Sequence, residues 1–141
     1  MILNSLDRYR DFGLLLLRVG IGGMFVVAHG WSKILGGPEM WENVGGAMGH
    51  LGITFFPVFW GFMAACAEFF GGLALIVGFL FRPTVVLMGF TMAVAATHHL
   101  ASGDGLALAS HALKMAILFG SLILIGPGRY SLDARLGRSA G

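Results

Sequence analysis

Arg18, His29, Lys33, Glu68, His98, His99, His111 and Lys114 lie inside or at the rims of long apolar stretches. A charge at bilayer depth costs about 2.5–3.5 kcal/mol on insertion scales, so each of these side chains needs a partner or a function. His29 and Lys33 stand at i, i+4 and share a helix face, as do His111 and Lys114 at i, i+3. With His98 and His99, three stretches carry imidazoles and ammoniums towards one region near the outer face. Imidazole changes protonation near neutral pH and suits proton transfer or hydrogen bonding to a redox headgroup. A lysine in an apolar pocket can act as acid, base or anion partner. His98 and His99 point about 100° apart on a helix, so only one can face a bundle interior. His99 is read as an interfacial residue, and His50, in a glycine-rich segment, as exposed.

A second polar layer lies deeper. Arg18 falls about 9 Å into the first stretch and Glu68 about 18 Å from the outer end of the second, at 1.5 Å per residue. The reach of arginine makes Arg18–Glu68 the natural buried ion pair, either a static brace or a catalytic element. Glu68, His29 and His111 are the candidate proton-transfer groups. Arg18, Lys33, His98 and Lys114 are the candidate substrate-binding groups. No pair has the compact spacing of a metal motif, and haem would need two histidines from different spans. The glycines follow no strand, so no nucleotide fingerprint is present. No Ser/His/Asp or Cys/His nucleophile arrangement stands out.

The elements that must position these groups are four apolar stretches, roughly 12–35, 56–80, 84–100 and 106–125. About 20 apolar residues cross a ~30 Å hydrocarbon core as a helix, and the third stretch is at the lower limit. Hydrophobic residues make up 57% of the 141-residue chain and charged residues 11%, against about 25% charged in soluble domains. The expected fold is all-α: a polytopic membrane four-helix bundle with short interfacial helices, in a single domain over residues 1–141. The lone cysteine, Cys66, excludes intramolecular disulfides and is read as a packing residue. A net charge of +2, dispersed along the chain, gives no footprint for nucleic acid. Acidic Asp7 and Asp11 precede the first stretch and no small-residue cleavage site follows it, so the first span is expected to remain in the mature protein.

Arg8, Arg10, Arg82, Arg129, Arg135 and Arg138 flank the stretches on one side, while Glu39, Glu42 and Asp104 lie on the other. The positive-inside rule predicts both termini in the cytoplasm. Pro38, with Glu39 and Glu42 after it, predicts a short helix lying on the outer interface with Trp41 as anchor, in competition with a glycine-rich loop. Pro57 and Pro83 are expected to open spans two and three, and Gly126-Pro127-Gly128 to close span four. Ser5-Leu6-Asp7 and Ser131-Leu132-Asp133 read as caps of short inner-surface helices. Intramembrane small-residue pairs such as Ala67–Gly71 mean close packing within the bundle or between protomers of a homo-oligomer.

Leu17-Arg18-Val19-Gly20, Phe25 and His29-Gly30-Trp31-Ser32-Lys33-Ile34-Leu35 resemble the opening signature of the DoxX family. Ala67-Glu68-Phe69-Phe70-Gly71-Gly72 with Gly78 resembles its second-span signature, and Gly126-Pro127-Gly128-Arg129-Tyr130-Ser131-Leu132-Asp133 its closing one. The resemblance implies a small four-helix protein of the prokaryotic cytoplasmic (inner) membrane, surrounded by lipid. The family includes a subunit of thiosulfate:quinone oxidoreductase and members associated with thiol-stress responses. By motif position, Arg18, His29, Lys33 and Glu68 carry over. Where many relatives place a glutamate near the start of the fourth span, this chain has His111. The expected function is an integral component of a quinone-linked redox system, an oxidoreductase subunit with quinone as its ligand and a partner protein as electron donor. The alternatives are a small-solute or anion transporter or channel, and a non-catalytic membrane subunit anchoring soluble redox enzymes.

Overall fold

The computed structural model describes residues 3–139 of the chain. The described residues form helices joined by short turns, and four helices are long and apolar enough to cross a membrane: Leu6–Leu35, Pro57–Val77, Phe81–Ala101 and Gly105–Ile125. The first is composite. A 3-10 turn over Leu3–Tyr9 runs straight into α1 (Arg10–Met24), a π-helical turn spans Phe25–Gly30, and α2 (Trp31–Leu35) completes it. The Ser5-Leu6-Asp7 segment thus lies in a short 3-10 helix that runs into α1 without a break. The other spans are α4 (Pro57–Val77), α5 (Phe81–Ala101) and α6 (Gly105–Ile125), with α3 (Gly37–Gly45) before them and α7 (Leu132–Ser139) after.

Glycine sets the register of span one on α4. A Cβ at Gly22 would lie 2.6 Å from the Gly72 carbonyl oxygen, and one at Gly30 would lie 2.6 Å from Phe69 Cα. The two backbones touch, as small residues permit in lipid. Gly71, of the Ala67–Gly71 pair, packs within the chain against Met88 of α5. A core of Phe25, Leu75, Val85, Met88, Phe119 and Leu122 fills the middle of the bundle.

The expected helix after Pro38 is present as α3, but it does not lie flat on an interface. A Cβ at Gly61 would collide with the Trp41 carbonyl, and one at Gly45 with the Pro57 carbonyl. The Trp41 indole N–H donates to the Lys33 carbonyl at 2.7 Å, and its ring meets Phe62 edge-on. The chain from Lys33 to Gly45 thus continues antiparallel along the first half of α4, and a 3-10 turn over Gly46–Leu51 then leads towards α5.

Span three starts earlier than its proline suggests. Pro57 does open α4, but Pro83 is the third residue of α5, still inside the first turn where its missing N–H does no harm. The early start has a distant cause. Asp133 accepts from the backbone N–H of Leu80 at 2.9 Å and of Phe81 at 2.8 Å, capping α5 from 52 or more residues away. Leu80 sits at φ 44°, a left-handed conformation that this bond helps hold. Ser131 caps α7 by accepting from Ala134 N–H at 3.1 Å. Gly126 turns the chain at φ 81° where α6 ends.

Candidate functional site

The expected Arg18–Glu68 pair does not form. Glu68 instead accepts a hydrogen bond from Lys33 Nζ at 2.7 Å, with the two side chains 2% and 26% exposed respectively. The physical reason is register. Gly22 on Gly72 and Gly30 on Phe69 bring Lys33 level with Glu68 and Arg18 level with Gly78, ten residues or about 15 Å further along α4. Arg18 is fully buried and points towards the end of the bundle where both termini lie. Its Nη2 donates to the Tyr130 carbonyl at 2.8 Å, beside Gly78 and Ser131. Arg18 therefore braces the closing segment and takes no part in the Glu68 site.

The Lys33–Glu68 pair is the shared wall of two cavities. The first, about 300 Å³, lies between α4 and α5 under the 3-10 turn after α3. Met48, Trp60, Met63, Phe90 and Val94 make it strongly apolar, and Lys33 and Glu68 are the only ionisable groups in its lining. Phe59, Met63, Leu87 and Phe90 at its rim are exposed on the outside of the bundle, so the slot opens sideways towards lipid. Thr91, also in the lining, donates its hydroxyl to the Leu87 carbonyl at 3.0 Å, and the Trp60 indole N–H donates to the Phe55 carbonyl at 3.0 Å.

The second cavity, about 130 Å³, lies between span one, α5 and α6. Lys33 and Glu68 share it with His29, His99 and His111. His29 sits in the π turn, a local widening of the helix frequently found at functional sites. Its ring centroid lies 5.5 Å from that of His111 and 5.6 Å from that of Phe25. His111 is exposed at the rim.

Span one and span four thus meet over a common cavity, which His29, Lys33 and His111 line. The remaining expectations are redistributed. His99, read as interfacial, lines the cavity and also binds Asp104 Oδ2 through Nδ1 at 2.8 Å. His98 faces the other way and shares a hydrogen bond with His50 Nε2 at 3.1 Å. His50 is exposed, as expected, but it clasps the 3-10 turn to α5. Lys114 is exposed and lines neither cavity, because three helical residues carry it past the rim held by His111. Asp104 enters the sequence reading only through its charge, as a mark of the outer side, and not as a site residue. An acidic loop residue five positions after a span-ending histidine was the available signal.

Among the described residues, Glu68 Oε2, Arg18 Nε and Arg18 Nη1 are buried with no hydrogen-bond partner. A buried polar atom without a partner costs about 1–3 kcal/mol, more when charged, so the free oxygen of Glu68 marks a place where a hydrogen-bond donor belongs. No group of three or more His, Cys, Asp or Glu side chains gathers closely enough to hold a metal ion among the described residues.

Four membrane-length helices, with a polar pair at mid-bundle, define a small polytopic membrane protein. The DoxX family model matches residues 13–101, and the chain belongs to that family. It is 31% identical over 138 residues to the inner membrane protein YqjF of Escherichia coli (strain K12), covering 94% of this chain and 98% of the relative. No solved structure matches.

Proposed function

We propose that this chain is the membrane-embedded ligand-binding component of a quinone-linked redox system in the cytoplasmic (inner) membrane, with both termini in the cytoplasm. One observation carries the reading: a lipid-accessible apolar slot of about 300 Å³ ends on a buried carboxylate with a free oxygen beside an ammonium. A quinone needs an apolar channel for its tail and a few polar groups for its headgroup. When bound, it supplies reversible two-electron, two-proton chemistry. Lys33 would donate to a headgroup oxygen, and Glu68 Oε2 would accept from a headgroup hydroxyl. Those roles require one acceptor and one donor side by side, which the ion pair provides. Electrons would be exchanged with a partner protein.

The transporter alternative finds less support. Between the Glu68 layer and Arg18 lie Phe25, Leu75, Met88 and Phe119, all nearly or wholly buried in one packed cluster. A solute path would have to cross that plug.

Trp60 lines the slot, so a short-tailed quinone should quench its fluorescence in nanodiscs, in a background with Trp31 and Trp41 replaced by phenylalanine. Ala64→Phe, which fills the slot, and Glu68→Gln should each weaken binding about ten-fold, equivalent to about 1.4 kcal/mol. Leu124→Ala, on the exposed face of α6 and outside the slot, should leave it unchanged. Equal affinity in all four proteins would reject the slot as the quinone site.

A further inference from the structure

We propose that Glu68 exchanges its proton with the aqueous face opposite the termini, through His29 and then His111 and the His99–Asp104 pair. The inference rests on reading the slot as the place where a protonic ligand meets Glu68, and it assigns the side from which that proton comes. Glu68 and Lys33 share the small cavity with His29, His99 and His111, and its volume leaves room for a short chain of bridging waters. From there two exits reach water. His29 stacks near His111, which is exposed, and His99 is bonded to Asp104 in the α5–α6 turn, both about a third exposed.

The other directions are closed. Towards the termini, Phe25, Leu75, Met88 and Phe119 plug the bundle; the buried polar side chains on that side include Thr84, whose hydroxyl is committed to the Phe79 carbonyl, and Arg18. A buried guanidinium is itself a barrier to a proton. Within the slot, the Thr91 hydroxyl proton is committed to the Leu87 carbonyl and the Trp60 indole N–H to the Phe55 carbonyl.

The step balances simply. A proton passes from the imidazolium of His29, directly or through water, to Glu68 Oε2, leaving a neutral imidazole and a carboxylic acid. Water reprotonates His29 by way of His111 or His99. Lys33 then loses its counter-ion and is free for an anionic oxygen of the ligand. Anion entry is thereby matched by one proton from a defined side, and the buried charge stays constant.

The probe is N,N′-dicyclohexylcarbodiimide, a lipophilic reagent that modifies protonated carboxyls in membranes. The full chain is reconstituted in vesicles, its orientation assigned by protease access to α7, and the pH of each compartment set separately. Adduct at Glu68 is read by mass spectrometry. Its rate should rise about ten-fold or more when the face opposite the termini is brought from about pH 8 to about pH 5, the range over which imidazoles change charge. The same change on the terminal face should have little effect, and His29→Phe should abolish the response while His29→Gln retains part of it. The wild-type comparison does not depend on either variant folding. Labelling that follows the terminal face, follows both faces equally, or fails at every pH overturns the proposal. No quinone is present, so a slot that binds none leaves one-sided labelling intact, whereas quinone binding with a pH-blind Glu68 retains the proposed function and removes the relay.

Discussion

At the residue scale the molecule turns on Glu68, whose two oxygens have different fates: Oε1 is held by Lys33 and Oε2 is left free. Removing one partner of a buried ion pair is the costly event, at about 3–5 kcal/mol, because it strands the other charge. Lys33→Leu should therefore lower thermal stability in detergent more than the Lys33→Leu/Glu68→Leu double variant does. Additive losses would show that the two groups are not coupled. Glu68→Leu alone should be the milder single change, since Lys33 is 26% exposed and can reach water in the histidine cavity. Arg18 offers the contrast. It sits in a separate layer, so Arg18→Met should destabilise the fold yet couple with neither Lys33 nor Glu68 in double-mutant cycles, as distant sites generally do not.

At the scale of elements, the site exists because α3 stands upright against α4. Gly61 and Gly45 let the two backbones touch, and that contact seats the 3-10 turn carrying Met48 over the slot. Gly61→Val should cost at least the about 1–3 kcal/mol of an overpacked core and abolish ligand binding at the slot. Gly20→Val, on the open face of span one with nothing within 4 Å, should change Tm by little. The same contacts explain what the sequence could and could not reveal. Hydropathy located all four spans, and Pro57, Gly126 and Ser131 marked ends that the structure uses. The i, i+4 spacing of His29 and Lys33 placed them over one cavity. The wrong partner for Glu68 came from measuring depth from apparent span ends. The true level depends on which glycine meets which backbone, and that is a property of two helices together. The upright α3 was hidden for the same reason, because Trp41 and Val44 suit an interface and a helix groove equally well. Nor can hydropathy choose between His98 and His99: the helix rotation is fixed by packing.

For the whole molecule, one end of the bundle is held by residues that lie far apart in the chain. Asp133 caps α5, Tyr130 accepts from Arg18, and Asp11 accepts from the Arg129 backbone N–H at 3.1 Å. Asp133→Ala should lower stability by about 0.5–2 kcal/mol, the usual loss on removing a cap. Leu80→Gly should recover part of it by relieving the left-handed strain, a rescue readable as a rise in Tm. All of these clasps are supplied by residues 129–133, which follow every span in chain order. The four spans can therefore enter the bilayer one after another, but the bundle cannot be locked until that short run has been made. Until then Arg18 waits in lipid with its carbonyl partner still unmade, and the first turn of α5 has nothing to accept its N–H groups. A chain interrupted after the fourth span should thus be inserted yet unfinished, and a membrane protease that surveys such chains would find in this late segment the difference between a product to keep and one to destroy.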